Sequence, residues 1–234
     1  MALLTKIHYS GHALIAVTKT LLISDSNQFI FVHIRKAAGS SMLDVLHPYA
    51  LPKPTTMAAR LRSRARLEWN YKKYRFRQHE GIMAARRRMP KHAFNSYFKF
   101  AFVRNPWDRL VSEYEFILKR ATHGRHNKVI KLDSFTDFIR MQSQRQDAYQ
   151  INMLCDKNGQ LMMDFVGRFE NLNQDWDKVC KLANIPLQAL THTNQTKHRD
   201  FRDYYDQQSI KLVADYWADE IKLFGYSFNN EKEG

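Results

Sequence analysis

The stretch that most constrains the fold is residues 29–46, FIFVHIRKAAGSSMLDVL. A short β-rich apolar run is followed by a loop with two positive charges, and then by a helix-like segment that Ser40 or Ser41 can cap. This succession is typical of a buried parallel strand whose loop, with the N-terminus of the next helix, binds an anion. The spacing of the usual nucleotide loop, G-x-x-x-x-G-K-[ST], is not met, because Lys36 precedes Gly39.

A second unit of the same kind begins with FKFAFV at residues 98–103 and continues into RNPWDRLVSEYEFILKR. Asn105 is a favourable N-cap, and Pro106 falls in the first helical turn, where proline is accepted. Arg104 stands just past the strand and Ser112 lies two turns into the helix, so an arginine fork and a hydroxyl are available for a second phosphate. Arg109 has a structural alternative, which is pairing with an acid on a neighbouring helix.

A third apolar stretch, MDFVGRFENL at residues 163–172, ends in a similar way, and helical patterns separate these runs. We therefore predict a single-domain α/β fold over residues 1–234, with a P-loop-like parallel sheet flanked by helices on both faces. Ligands of such sheets bind at the carboxyl ends of the strands, where both basic loops lie. An apolar stripe also predicts one last helix that closes at Gly225, formed by Ile210, Val213, Trp217, Ile221 and Phe224.

The positive charge is concentrated between residues 53 and 91, where 13 lysines and arginines stand against two acids, a net +11 of the chain's formal +14. We interpret residues 53–91 as a basic, largely helical insertion on the acceptor side. So dense a charge predicts a polyanionic partner, which leaves nucleic acid, an anionic glycan and a membrane surface open. A solvated helix face is the structural alternative.

Two further patterns bear on the environment of the chain. Cys155 and Cys180 form no metal motif and predict free thiols in a reducing compartment, and the sequence gives no other metal-ligand set. The apolar stretch at residues 13–24 is broken by Lys19 and is shorter than the roughly 18 residues that a membrane span needs. We therefore expect a cytoplasmic protein with no membrane span and no metal.

The motifs taken together resemble the carbohydrate sulfotransferases that use 3′-phosphoadenosine 5′-phosphosulfate. FVHIRKAAGSS is similar to that family's 5′-phosphosulfate loop, usually of the form HIPKTAGTS, and YFKFAFVRNPWDRLVSEYEF is similar to its 3′-phosphate signature. VGRFENL and NQTKHRDFRDYYD…IKLFGY are similar to later blocks of the family. The resemblance spans residues 29–226 and leaves residues 1–28 as an N-terminal segment.

The resemblance implies a set of donor-binding residues. The 5′-phosphosulfate loop would comprise Arg35, Lys36, Ala37, Ala38, Gly39, Ser40 and Ser41. Arg104 and Ser112 would bind the 3′-phosphate, and Thr196 and Lys197 would lie in a loop that folds over the nucleotide, with a solvated surface lysine as the alternative for Lys197. Arg35 and Ala37 depart from the family's usual proline and threonine, which adds a charge near the sulfate and removes one hydroxyl donor.

The resemblance also implies the reaction. His79 lies where the family often has a histidine and would be the general base for the acceptor hydroxyl, with Glu80 as the rival base. Lys36 would offset charge on the leaving phosphate. The implied activity is transfer of a sulfuryl group to a hydroxyl of a carbohydrate, an anionic glycan in view of the basic segment, with 3′,5′-bisphosphoadenosine as the nucleotide product.

Two other classes of function stay open at this point. A phosphotransferase also uses strand, loop and helix sites, but the lysine spacing is wrong and the nearest magnesium-binding acid, Asp164, falls inside a predicted strand. A basic nucleic-acid-binding protein fits the charge, although the sequence contains no known nucleic-acid motif, so nucleic acid is not an obligatory partner.

Overall fold

The computed structural model describes residues 21–51, 56–65, 67–68, 70–74, 76, 80–190 and 199–229. Its centre is a four-stranded sheet in the order β1-β2-β3-β4, formed by Leu22–Ser24, Phe29–Val32, Phe98–Val103 and Phe165–Arg168. The last three strands are parallel, and β1 pairs with β2 in the antiparallel sense at one edge. The predicted α/β sheet flanked by helices is confirmed, and its one antiparallel strand comes from the N-terminal apolar stretch.

The helices surround this sheet along the described part of the chain. They are α1 (Gly39–Leu46), α2 (Met57–Arg64), α3 (Ile82–Arg88), α4 (Lys91–Ser96), α5 (Pro106–Leu118), α6 (His126–Val129), α7 (Phe135–Ser143), α8 (Ile151–Leu154), α9 (Leu172–Leu182), α10 (Gln207–Tyr216) and α11 (Ala218–Phe224). Short 3₁₀ turns are formed by His47–Tyr49, Gln146–Ala148 and Phe201–Tyr204.

The sheet is buried because its central strands are apolar on both faces. Every residue of β2 is buried, and Phe29 and Phe31 pack against Phe100 of β3 with ring centroids 5.7 and 5.2 Å apart. A second apolar cluster holds α5 against α7 and α10 through Trp107, Leu110, Phe138, Val213 and Trp217. The loop after β2 and the helix after β3 are therefore both anchored in packed cores.

The last helical stripe is divided into two helices. The prediction of one helix was wrong, because α10 ends and α11 begins at Trp217. The indole of Trp217 is buried and donates to the Ala148 carbonyl oxygen at 3.3 Å, so a tertiary contact sets the break. Gly225 closes α11 in the left-handed region, at a φ of 64°, as the sequence predicted.

The basic segment is also less helical than the sequence predicted. Non-helical residues lie between α2 and α3, and Tyr71, Tyr74 and Phe76 are buried there. The hydroxyl of Tyr71 donates to Asp25, next to β1, at 2.9 Å. Burial of these aromatic side chains against the sheet overrides the helical pattern of the surrounding arginines.

Candidate active site

The loop between β2 and α1 has an alternating backbone. Lys36 and Ala38 have positive φ values of 65° and 58°, whereas the residues on either side of each do not. Such alternation turns successive backbone N–H groups toward one side and forms a concave site for an anion. Left-handed conformations are costly for residues with a Cβ and cluster at functional sites. The loop thus has the backbone of an anion site without glycine at its turns.

The first turn of α1 adds backbone donors to this concave site. The carbonyl of Ala38 accepts from the N–H of Ser41 at 3.1 Å, and the N–H groups of Gly39 and Ser40 are first-turn donors that the helix itself does not use. A Cβ at Gly39 would lie 1.8 Å from Cδ2 of His33, whose ring is buried at the end of β2. Close packing on this ring, rather than backbone conformation, is what requires glycine here.

The side chain of Lys36 reaches an aromatic ring on α5. Its ammonium nitrogen lies 4.2 Å from the ring centroid of Phe116, and the guanidinium of Arg120 lies 4.1 Å from the same centroid. The negative face of an aromatic ring attracts cations. His123 packs edge-on against Phe116, and burial together with Arg125 lowers the pKa of His123. Phe116 therefore gathers two cations beside the loop.

Arg104 joins the two strand ends. Its Nε and Nη2 donate to the carboxylate of Asp108 at 2.8 and 2.7 Å, and its Nη1 donates to the carbonyl oxygen of Lys36 at 3.1 Å. The guanidinium also stacks on the ring of Phe169, 4.0 Å from its centroid. Ser112 follows Asp108 by one turn on the same face of α5 and is buried. The arginine and the serine predicted to share a phosphate thus flank one helix face.

A buried glutamine fixes the backbone of Arg104. The side-chain amide of Gln150 accepts from the N–H of Arg104 and donates to its carbonyl oxygen, both at 2.9 Å, as a neighbouring strand would. Glu220 on α11 accepts from the same amide at 2.6 Å and from the backbone N–H of Gln150 at 2.5 Å. Burial raises the pKa of Glu220. The hydrogen bonds from Glu220 through Gln150 to Arg104 therefore fix the backbone at the end of β3.

The side chain of Arg35 is paired with an acid. Its Nη2 lies 3.0 Å from the carboxylate of Asp147 and donates to the backbone carbonyl of the same residue at 3.0 Å. Arg145 contacts this carboxylate at 2.6 Å. Burial would raise the pKa of Asp147, but Arg145 and Arg35 hold it below the ordinary value. The charge that Arg35 introduces in place of the family's usual proline is therefore paired with Asp147. The backbone of Arg35 forms part of the loop.

Arg109 was left with two roles by the sequence, and its contact in the structure is with a backbone carbonyl. Its guanidinium is buried and donates to the carbonyl oxygen of Ala148. Burial lowers the pKa of Arg109, and the nearby carboxylates of Glu220 and Glu113 oppose that shift. Glu113 also pairs with Arg125. Arg109 is therefore a buried cation that a backbone carbonyl contacts.

The chain that follows the predicted base is packed beside the loop, beginning at Glu80. A cleft beside the loop is lined by Arg35 and Met153, among others. A Cβ at Gly81 would lie 2.7 Å from the carbonyl oxygen of Met153, so this backbone stands against the wall of the cleft, and Glu80 before it is half-buried. Three predicted site residues lie outside the described residues, namely His79, Thr196 and Lys197.

Asp164, the acid considered for magnesium, lies at the amino ends of the parallel strands, whereas the loop lies at their carboxyl ends. It precedes β4, so its assignment to the interior of a strand was wrong. It accepts from the backbone N–H of Lys99 at 2.7 Å and pairs with the ammonium of Lys99 at 2.8 Å. Because β2 and β4 run in the same direction, an acid before β4 is remote from Lys36, which follows β2. Asp164 is therefore unsuited to a metal at this loop.

Glu170, after β4, has a structural position. Its carboxylate accepts from the backbone N–H of Asn105 at 2.7 Å and from the hydroxyl of Tyr226 at 3.0 Å. Asn105 caps α5 as predicted, accepting from the N–H of Trp107 at 3.0 Å. These contacts fix the start of the helix that carries Ser112.

The cysteines, the possible metal ligands and the lengths of the helices complete the description of the site and its surroundings. Cys155 and Cys180 are buried free thiols, as predicted. No group of three or more histidine, cysteine, aspartate or glutamate side chains among the described residues is arranged to hold a metal ion. Among the same residues, the helices are too short or too polar to cross a membrane.

The sequence did not single out three residues that shape the site, Asp108, Phe116 and Gln150. The four-residue separation of Arg104 and Asp108 was the one usable signal, since it is the spacing of a helical ion pair. Phe116 lies off the apolar stripe of α5, and Gln150 belongs to no motif. Their contacts arise only when remote segments meet.

Comparison with known proteins identifies relatives of this chain. A family model described as "Sulfotransferase family" matches residues 19–227. An uncharacterized protein of Archaeoglobus fulgidus is 31% identical over 119 residues, which cover 50% of this chain and 92% of that protein.

Two named vertebrate proteins are also similar. Carbohydrate sulfotransferase 11 of Rattus norvegicus is 27% identical over 176 residues, covering 59% of this chain and 49% of the relative. Carbohydrate sulfotransferase 14 of Danio rerio is 25% identical over 172 residues, covering 60% of this chain and 47% of the relative. The chain therefore spans about half the length of these two proteins.

Proposed function

The chain belongs to the sulfotransferase family, and from this premise we propose that it moves a sulfuryl group from 3′-phosphoadenosine 5′-phosphosulfate to a hydroxyl of a carbohydrate. The observation that carries the proposal is the hydrogen bond from Arg104 to the carbonyl of Lys36, because it joins the ends of the paired strands β2 and β3, where the two anion sites are proposed. The donor has an anionic group at each end of one ribose. Two adjacent sites are what such a nucleotide requires.

The proposed donor site has two halves. The 5′-phosphosulfate would bind in the alternating loop from Arg35 to Ser41, where backbone N–H groups converge and Lys36 adds a charge. The 3′-phosphate would bind at Arg104 and Ser112, beside the first turns of α5. Thr196 and Lys197 are proposed to cover the nucleotide, on the resemblance alone. We further propose that residues 1–234 act as one domain.

In the proposed reaction, the acceptor oxygen attacks sulfur in line with the leaving phosphate. The new oxygen–sulfur bond forms as the bond from sulfur to the phosphate oxygen breaks, and 3′,5′-bisphosphoadenosine leaves. His79 accepts the proton of the hydroxyl, with Glu80 as the rival base. The ammonium of Lys36 offsets the charge that develops on the leaving phosphate.

The proposed acceptor is an anionic glycan. The printed names of two relatives are carbohydrate sulfotransferases, which supports a sugar hydroxyl as the acceptor. The basic segment supports an anionic one, since Lys73, Arg87 and Lys91 are exposed in its described part. A pair of acceptors that differ only in charge tests this proposal: a uronate-bearing glycan should be sulfated faster than its uncharged counterpart.

The direct test is transfer of radioactive sulfate from labelled donor to glycans. Lys36→Met is expected to lower the rate about 10²- to 10³-fold, because it removes one preorganised charge at the leaving group. Lys211→Met is the matched control, since Lys211 is exposed on α10 and pairs with Asp215. Full activity of Lys36→Met would refute the role of the loop. Loss of activity in His79→Ala but not in Glu80→Gln would assign the base.

The phosphotransferase alternative is tested by thermal shift. Adenosine 3′,5′-bisphosphate should raise the melting temperature more than ATP with magnesium, because the two strand ends fit two separated phosphates. The opposite order would favour a kinase. The position of Asp164 already argues against that class.

A further inference from the structure

Arg104 already contacts two parts of the protein through its guanidinium. Its side chain is only 9% exposed, and its contacts with Asp108 and Lys36 use three of the five N–H donors of a guanidinium. The ring of Phe169 covers one of its faces. The guanidinium is therefore held in one orientation before any nucleotide arrives.

The carbonyl that Arg104 holds belongs to the most unusual part of the loop. Lys36 has a φ of 65°, and such residues keep a left-handed backbone only where the surroundings enforce it. The carbonyl of Lys36 and the N–H of Ala37 belong to one planar trans peptide, so they point in opposite directions. Fixing the carbonyl toward Arg104 thus fixes the Ala37 N–H in the opposite direction, away from the guanidinium.

We propose that Asp108 and Arg104 form a brace that sets the orientation of the Lys36–Ala37 peptide, which makes Asp108 a positioning residue for the 5′-phosphosulfate. Asp108 binds the arginine with both carboxylate oxygens, so that Nη1 is aimed at the loop. Without the brace, the peptide can rotate and withdraw its N–H from the sulfate end of the donor. This inference rests on the proposed function, since it concerns the same nucleotide site.

A simpler role for Asp108 predicts an opposite result. If Arg104 were only a ligand of the 3′-phosphate, Asp108 would compete with that phosphate for the guanidinium. Removing its charge would then free the arginine and strengthen binding of a nucleotide with a 3′-phosphate. A brace instead predicts weaker binding, even of a nucleotide that has no 3′-phosphate.

The experiment compares two nucleotides by isothermal titration calorimetry with the full chain. Adenosine 5′-phosphosulfate carries the sulfate end alone, and adenosine 3′,5′-bisphosphate carries the 3′-phosphate. Asp108→Asn is expected to weaken binding of adenosine 5′-phosphosulfate about tenfold, or about 1.4 kcal/mol. Asp215→Asn is the matched control, because Asp215 makes an exposed ion pair of the same spacing with Lys211 and should leave both affinities unchanged.

A second variant keeps the test decisive if Asp108→Asn does not fold. Arg104→Lys retains a positive charge for a phosphate but cannot donate to Asp108 and Lys36 together. The brace predicts that this variant also loses affinity for adenosine 5′-phosphosulfate, with a shifted ¹⁵N–¹H signal of the Ala37 amide. A purely structural role would lower the melting temperature and leave the affinity of the folded protein unchanged.

The outcomes separate the two proposals. Unchanged affinity of Asp108→Asn for adenosine 5′-phosphosulfate, with tighter binding of adenosine 3′,5′-bisphosphate, would overturn the brace and leave the proposed function standing. A wild-type chain that binds neither nucleotide would overturn the proposed function, and the brace with it. Weaker binding of adenosine 5′-phosphosulfate in both variants, with the control unchanged, supports the brace.

Discussion

Gly39→Ala should destabilise the protein although its backbone suits alanine. Gly39 is the first residue of α1, and its φ is outside the left-handed region. Replacement of glycine by alanine at such a position ordinarily adds about 0.4–1 kcal/mol of stability, because it restricts the unfolded chain. The packing around Gly39 reverses that expectation.

The size of the reversal follows from the distances. The new Cβ would lie 1.8 Å from Cδ2 and 2.4 Å from Nε2 of His33. An ordinary carbon contact is about 3.5 Å, so the ring or the helix start must move by roughly 1.7 Å. His33 is 4% exposed, so the surrounding packing restricts the movement of its ring. Overpacking of this kind costs about 1–3 kcal/mol, and subtracting the usual gain leaves a net loss of about 1.3 kcal/mol at the middle of the two ranges.

Urea denaturation followed by circular dichroism measures this loss. Gly124→Ala is the matched control, because nothing lies within 4 Å of its added Cβ, and it should leave the free energy of unfolding unchanged or raise it by up to about 1 kcal/mol. The double variant with His33→Ala should show a coupling energy of about 1 kcal/mol or more. Affinity for adenosine 3′,5′-bisphosphate should fall in Gly39→Ala. A Gly39→Ala protein as stable as the control would refute the argument.

Three other changes probe the surroundings of the loop. Ala38→Gly should alter the free energy of unfolding by less than about 0.5 kcal/mol, since relief of left-handed strain offsets a freer unfolded chain, whereas Ala38→Val should cost about 1–2 kcal/mol in urea denaturation. Phe116→Leu removes the ring face under the lysine ammonium and should slow sulfate transfer about two- to fivefold at unchanged stability, as measured with labelled donor. Burial would raise the pKa of Asp25, but hydrogen bonds from Lys72 and Tyr97 hold that pKa below its ordinary 3.8. The ionised carboxylate therefore stabilises the folded protein above pH 3.8, and this stabilisation is lost as the pH falls through the folded pKa. Asp25→Asn should therefore cost about 1 kcal/mol at neutral pH, and the cost should shrink as urea titrations are repeated at successively lower pH below 3.8.

The parts of the fold that the sequence predicted are those encoded by local pattern. The runs that became β2, β3 and β4 are apolar and bounded by polar loops, so their period and length indicate buried strands. Asn105 caps α5 and Gly225 closes α11, because caps and left-handed turns depend on the residue at one position. The proximity of the two basic loops could be predicted from the strands, because the carboxyl ends of parallel strands lie on the same side of the sheet.

The parts that the sequence missed depend on contacts between remote segments. Trp217 breaks the last helix because its indole is buried against Ala148, and no helical pattern contains that information. The segment around Tyr71 is not helical, because the hydroxyl of this buried side chain donates to Asp25 beside β1. In the site, the side-chain amide of Gln150, 46 residues along the chain from Arg104, makes the backbone hydrogen bonds that a neighbouring strand would otherwise make. Such overrides come from burial, which the local sequence does not specify.

The early position of Lys36, which departs from the usual nucleotide loop, has a physical account in these contacts. A lysine after the last glycine of a loop extends from the first turn of the following helix. Lys36 instead occupies a left-handed turn before α1, so its carbonyl meets Arg104 while its ammonium lies over Phe116. One residue thereby contacts both the helix and the strand end of the neighbouring unit. A charge anchored in this way is suited to the leaving group of the proposed reaction, and a lysine moved into α1 would lose the contact with Arg104.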